Sequence, residues 1–193
     1  MIHITKGNKK LPRATLNFSM PPKRSCPNRT KACEHHCYAM KAYRQYPSVQ
    51  IAWDDNFNTS QQANFAEQVI STINKNRSWN QFRIHVSGDF YNQSYFNKWL
   101  TIVNMFPNKI FYTYTKVHTL NTSYKPDNMI LILSDDDMIH SQYWHKFDGV
   151  AVVRDRAPAP PGFTVCPGDC KACTYCYTKT GDREFKQIMF NKH

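Results

Sequence analysis

The chain has 193 residues with 41% hydrophobic and 14% aromatic content, which suits one domain with a buried core and argues against disorder. No run approaches the ~18 uninterrupted apolar residues of a membrane span, and "MIHITKGNKKLPRATLNF" has no apolar core of a signal peptide, so the reading is a soluble cytoplasmic protein without a membrane partner. The formal net charge is +11, and before residue 50 ten Lys and Arg face one acid, Glu34; such a field attracts nucleic acid or an acidic host protein.

In chain order, "ATLNFSMPP" from Ala14 reads as a strand stopped by Pro21 and Pro22. The first cysteines follow it. From Ser60, taken as an N-cap, "SQQANFAEQVISTINKN" has helical periodicity with Phe65, Val69, Ile70 and Ile73 on one face. "FRIHVSGDF" is a strand running into Gly88, and "NQSYFNKWLTIVNMF" is a second amphipathic helix. "KIFYTYTK" and "NMILILS" are strands, the latter apolar enough to be buried on both faces. A short helical piece over His140–Phe147 leads to the strand "GVAVVR". "RAPAPPG", from Arg156, is a stiff loop, and "GFTVC" is a further strand that delivers Cys166.

This alternation predicts an α/β fold with a parallel sheet. Ligands bind such sheets at the C-terminal strand ends. Polar residues gather there: Ser19, Ser87-Gly88-Asp89, Thr115-Lys116, Ser134-Asp135, Arg154-Asp155 and Cys166. They should converge on one rim. Alternation in "RIHVS" puts Arg83, His85 and Ser87 on one face and Ile84 and Val86 on the other. A polar lumen in a partly open barrel would accept Arg83 and His85; so would a solvated edge or a structural pair.

Seven cysteines, an odd number, in a reducing compartment point to metal rather than disulfides. They form two groups, Cys26-x6-Cys33-x3-Cys37 and Cys166-x3-Cys170-x2-Cys173-x2-Cys176. Three thiolates on one loop can bind three irons of a cubane and leave the fourth open. A compact run of four is more typical of iron–sulfur ligation than the separated pairs of a zinc ribbon. Thiolates accept both metals, so one or two [4Fe-4S] clusters is the expectation and zinc the alternative. His35 and His36 read as surface residues. Tyr38 and Tyr177, each after a last cysteine, pack in the core or shield a cluster.

Elsewhere, His85, Lys116 and Arg154 are candidate catalytic residues: Lys116 for a carboxylate or phosphate, Arg154 for an anion. Tyr112 reads as a β-former and Tyr114 could line the lumen. The run Asp135-Asp136-Asp137 reads as a helix cap with a solvated face rather than a Mg²⁺ site.

Three cysteines after the first strand, then "SGD" at the end of the second, resemble the radical S-adenosylmethionine enzymes. That resemblance implies a partial (β/α)6 TIM-like barrel, a [4Fe-4S] cluster on Cys26, Cys33 and Cys37, and contact of Ser87, Gly88 and Asp89 with S-adenosylmethionine. Here the cysteine loop is longer than usual, His36 precedes Cys37, and Asp89 stands in place of Glu. A closer similarity is to the phage gene product eighty-eight family. It is carried by "CPNRTKACEHHCYA", "RIHVSGDFYNQSYFNKW", "FYTYTK" and "CKACTYCY", and implies a phage-encoded protein in the host cytoplasm. Residues 1–165 are then the partial barrel, and residues 166–193 a cysteine-rich extension of the same compact domain. The alternative function is a metal-stapled, non-enzymatic module that binds nucleic acid or a host protein; a redox sensor is a third.

Overall fold

The computed structural model describes residues 1–76, 78–154, 157–178 and 184–191. At one sheet edge β1 (Thr5–Lys6) pairs antiparallel with β2 (Thr15–Asn17). The strands β3 (Gln81–Arg83), β4 (Ile110–Thr115), β5 (Met129–Ser134) and β6 (Gly149–Arg154) follow side by side, each parallel to the one before. Next to β6 lies β8 (Lys186–Asn191), and β7 (Thr164–Val165) lies outside it, both parallel.

The result is a mixed α/β fold on one eight-stranded sheet, parallel except at β1. No barrel is seen. A barrel closes when its outermost strands pair, whereas here β1 and β7 are the two edges of the sheet. Cys166 begins directly after β7, and β8, beyond it, pairs with β6 along its whole length.

Among the described residues, five α-helices accompany the sheet: α1 (Lys31–His35), α2 (Tyr38–Gln45), α3 (Pro47–Ser60), α4 (Phe65–Asn74) and α5 (Gln93–Asn104). Pro47 opens α3 because its fixed φ suits the first helical turn. Ser60 does not cap the next helix as expected. It ends α3, with its hydroxyl donating to the Phe57 carbonyl at 2.6 Å, and Asn64 precedes α4 instead. The periodicity of α3 is faint because its buried residues are polar: Asn56, Thr59 and Ser60. Asn56 donates to the carbonyls of His3 and Ser19, each at 2.9 Å. The expected helical piece over His140–Phe147 is a 3₁₀ helix, Ser141–Lys146.

Apolar alternation along the strands divides the sheet into two faces. Leu16, Phe18, Phe82, Phe111 and Leu131 meet Phe65, Val69 and Ile73 of α4 and Phe96, Trp99 and Val103 of α5. Each large side chain so buried contributes roughly 1.5–3 kcal/mol. The opposite, inner face carries Tyr112, Ile130, Ile132, Ala151 and Ile188, and it is covered by Cys166, Tyr175, Cys176 and Tyr177. The helices thus take one face and the C-terminal cysteine segment takes the other.

Candidate cysteine site at the strand-end rim

After β2 the chain is stapled to the "SGD" turn that follows β3. The Met20 N–H donates to the Ser87 carbonyl and the Ser87 hydroxyl donates to the Met20 carbonyl, both at 2.9 Å. Gly88 has φ +96°, and a Cβ on it would lie 2.8 Å from Ser25 Oγ and 3.0 Å from Met20 Cβ. The glycine lets the residue before Cys26 sit directly on the turn. Asp89 is buried. Its Oδ1 accepts from the Phe90 N–H at 2.7 Å and the Thr115 hydroxyl at 2.6 Å, and its Oδ2 accepts from the Lys116 N–H at 2.8 Å. Burial outweighs these donors and pushes its pKa up to about 6.

Lys116 continues the rim. Its Nζ donates to Ser134 Oγ at 3.0 Å and pairs with Asp136 Oδ2 at 2.5 Å, while Asp136 Oδ1 accepts from the Val153 N–H at 3.2 Å. One chain of contacts therefore joins the ends of β2, β3, β4, β5 and β6. It brings Ser87, Gly88, Asp89 and Lys116 together beside the loop of Cys26, Cys33 and Cys37. Burial, then the Asp89 carboxylate, pushes the Cys26 thiol up to about 12. Burial also raises Cys33, against the pull of Lys116. Cys33 lies in α1, its N–H donating to Thr30 Oγ1 at 3.1 Å, and Cys37 stands at the N-cap position of α2. The Tyr38 hydroxyl donates to the Val86 carbonyl.

The second cysteine group turns over the inner face. Gly168 N–H donates to Cys166 Sγ at 3.4 Å and Cys173 N–H to the Asp169 carbonyl at 3.0 Å. The Tyr177 hydroxyl donates to the Cys170 carbonyl at 3.0 Å, and its ring lies 5.2 Å from that of Tyr112. Tyr114 hydrogen-bonds the Cys176 sulfur. All seven cysteines are free thiols of intermediate exposure. Among the described residues, no three or more His, Cys, Asp and Glu side chains gather around a point that could hold one ion.

Two expectations are corrected. His85 does not share the face of Arg83. Its φ of +60° breaks the alternation just past β3 and turns the ring into the helix-side core. There Nε2 lies 2.9 Å from the Tyr95 hydroxyl, among Phe18, Phe90 and Trp99. Burial, then Arg83, lowers its pKa to about 3, so it is neutral. Asp135 is not solvated: it is buried, and Oδ2 accepts from the His140 N–H at 3.0 Å and from Trp144 Nε1 at 2.9 Å. Arg154 ends β6 opposite Asn191 but forms no ion pair among the described residues. Asp155 and Arg156, expected at that strand end and in the following loop, lie outside the described residues.

A family model described as Gene product 88 matches residues 3–162. The chain belongs to the Gene product 88 family. Two curated relatives are the Gene 88 proteins of Mycobacterium phage L5 and Mycobacterium phage D29. Each is 26% identical over 150 residues, which cover 70% of this chain and 63% and 62% of the two relatives. The chain thus spans less than two thirds of their length. The phage character that the sequence suggested stands on these matches. No solved structure matches. The family match ends at Gly162, so Cys166 to Cys176, with the "CKACTYCY" similarity, lie beyond it. No helix among the described residues is long and apolar enough to cross a membrane.

Sequence reasoning missed the commitment of Asp89 to three internal donors. It also missed the C-terminal segment's cover over the inner face. The period-2 pattern of "FYTYTK" carried the signal for the second point, since it puts Tyr112 and Tyr114 on the face of Arg83.

Proposed function

We propose that this Gene product 88 family member is an iron–sulfur protein. Cys26, Cys33 and Cys37 would hold a [4Fe-4S] cluster at the strand-end rim, and Cys166, Cys170, Cys173 and Cys176 a second centre over the inner face. The observation that carries the reading is the seating of the three-cysteine loop on Gly88, where only a residue without a Cβ lets Ser25 approach. One further feature supports it. The buried Tyr112 hydroxyl, an electrostatic neighbour of Cys170 and Cys176, has no hydrogen-bond partner and suits an acceptor supplied with such a group. When bound, the cluster supplies one-electron transfer.

The sequential parallel strands, with α4 and α5 on one face, suit an opened arc of the radical-SAM-like barrel. S-adenosylmethionine fits less well. Three internal donors take three of the roughly four acceptor sites of the buried Asp89 carboxylate, which leaves about one for the ligand's amino group. The reading therefore stops at cluster binding and electron transfer.

The deciding experiment is purification without oxygen, followed by iron and acid-labile sulfide analysis. About four of each per centre are expected, with loss on Cys26→Ala and Cys33→Ala. A folded, colourless protein carrying only zinc would overturn the proposal.

A second reading, nucleic-acid binding, is favoured by a cleft of about 410 Å³ beside the first cysteine loop, lined by Lys23, Lys31, Arg44, Glu34, His35 and Cys37 among others. It is compatible with a cluster that merely braces the loop.

A further inference from the structure

Between the two cysteine groups lies a cation without a carboxylate. Arg83 ends β3 on the inner face, with its guanidinium 4.3 Å from the ring centre of Tyr114 and 5.2 Å from that of Tyr112. Its Nε donates to the His85 carbonyl at 3.4 Å. It belongs to none of the ion pairs among the described residues. Its electrostatic neighbours are Tyr112, Tyr114, Tyr38 and Cys176, and it also acts on Cys170. Lys186, on the same face, is 4% exposed, and its Nζ has no hydrogen-bond partner; it lies 4.7 Å from the ring centre of Tyr175. The Tyr112 hydroxyl, on a residue 1% exposed, is unpartnered too.

A charge taken out of water costs several kcal/mol unless it is paired, and an orphaned hydroxyl costs roughly 1–3 kcal/mol. Here two cations and an orphaned donor line one floor, and no carboxylate answers them among the described residues. Among the described residues, the segment that covers the floor is where compensation can come from. Asp169, the carboxylate of that segment, is exposed and accepts from the Lys171 N–H at 2.9 Å within its own turn. What the segment turns inward is sulfur and two tyrosine rings, with Cys166, Cys176, Tyr175 and Tyr177 packed against the Tyr112 face.

We infer that Arg83, with the Tyr112 and Tyr114 hydroxyls, positions and charge-compensates an anionic thiolate centre formed by Cys166, Cys170, Cys173 and Cys176. This rests on the cluster reading above. Four thiolates around a cubane leave it net negative. A guanidinium at one side, the Tyr114 hydroxyl at the Cys176 sulfur and the unpartnered Tyr112 hydroxyl near Cys170 and Cys176 would stabilise the reduced, more negative form, which raises the reduction potential. Arg83 suits the task because a delocalised guanidinium stacks on both tyrosine rings while keeping its charge.

The test uses the full chain with Cys26, Cys33 and Cys37 changed to Ala, so that only the C-terminal centre can load. It is prepared without oxygen, analysed for iron and sulfide, and titrated by electron paramagnetic resonance. Arg83→Gln should make reduction at least tenfold less favourable, a shift of about 59 mV for one electron. Arg83→Lys should recover part of it. Tyr112→Phe keeps the ring and removes a buried orphan hydroxyl, so it should fold normally and still lower the potential. An unchanged potential in Tyr112→Phe together with an unchanged or more positive one in Arg83→Gln would overturn the inference. Should Arg83→Gln fail to fold, Tyr112→Phe alone decides. Absence of iron in the triple-Ala background would instead overturn the cluster reading for this segment.

Discussion

Gly88 shows how one missing methyl group assembles the rim. Its φ of +96° and the 2.8 Å approach of Ser25 Oγ leave no room for a side chain. Gly88→Ala should destabilise the fold by about 1–3 kcal/mol from backbone strain alone. It should also lower iron content, because Ser25 carries Cys26 away with it; denaturant unfolding and metal analysis on one preparation check both. His85 gives a pH prediction. Its folded pKa of about 3 lies below the ordinary value of 6.5, so the unfolded chain takes up a proton that the folded one refuses. Stability is therefore lost as pH falls from 6.5 toward 3, by up to about 5 kcal/mol. Buried Asp89, raised to about 6, works the other way: it favours the fold as pH falls through 6 toward 4, with Lys116 and Cys26 as its charged or titratable neighbours. Comparing the wild type with His85→Gln cancels the Asp89 contribution and leaves that of His85, whose neighbours are Arg83 and Tyr95. The variant should be less stable at pH 7 and more stable than wild type near pH 4, and urea melts at both pH values measure the crossing.

At the scale of elements, β8 matters most for the fold's integrity. It pairs with six residues of β6 and, among the described residues, is the sole sheet partner of β7. It also buries Ile188 and Met189, together worth roughly 3–6 kcal/mol. Domains are typically stable by only about 5–15 kcal/mol. A chain ending at Thr178 should therefore lose its cooperative unfolding transition and elute as aggregate in size-exclusion chromatography. Gly149 opposes Lys186 so closely that a Cβ would collide with the Lys186 carbonyl oxygen, which fixes the register of this pairing. The strands β4, β5 and β6 and the helices α4 and α5 were legible from their apolar periods. The helix α3 was not, because it docks through Asn56 and Thr59 rather than an apolar stripe.

At the scale of the whole molecule, charge and sulfur share one end of the fold. Lys31 and Arg44 of the cleft stand beside Cys37. If the cleft takes nucleic acid, affinity for a single-stranded oligonucleotide should fall steeply with salt. Replacing both residues with Ala should flatten the slope of log K against log salt by about 1.4. Fluorescence anisotropy at several salt concentrations measures it, and an unchanged slope would remove the cleft from consideration.

By itself, the sequence determined the α/β class, the grouping of seven thiols and the convergence of Ser87, Gly88, Asp89 and Lys116 with the first cysteine loop. These follow from local periodicity and from the rule that parallel strands end on one side. Only the tertiary structure decided which face His85 joins, what Asp89 accepts, and what covers Tyr112 and Tyr114. Those outcomes depend on a single positive φ, on burial, and on contacts between residues dozens of positions apart, none of which a local pattern of residue types encodes.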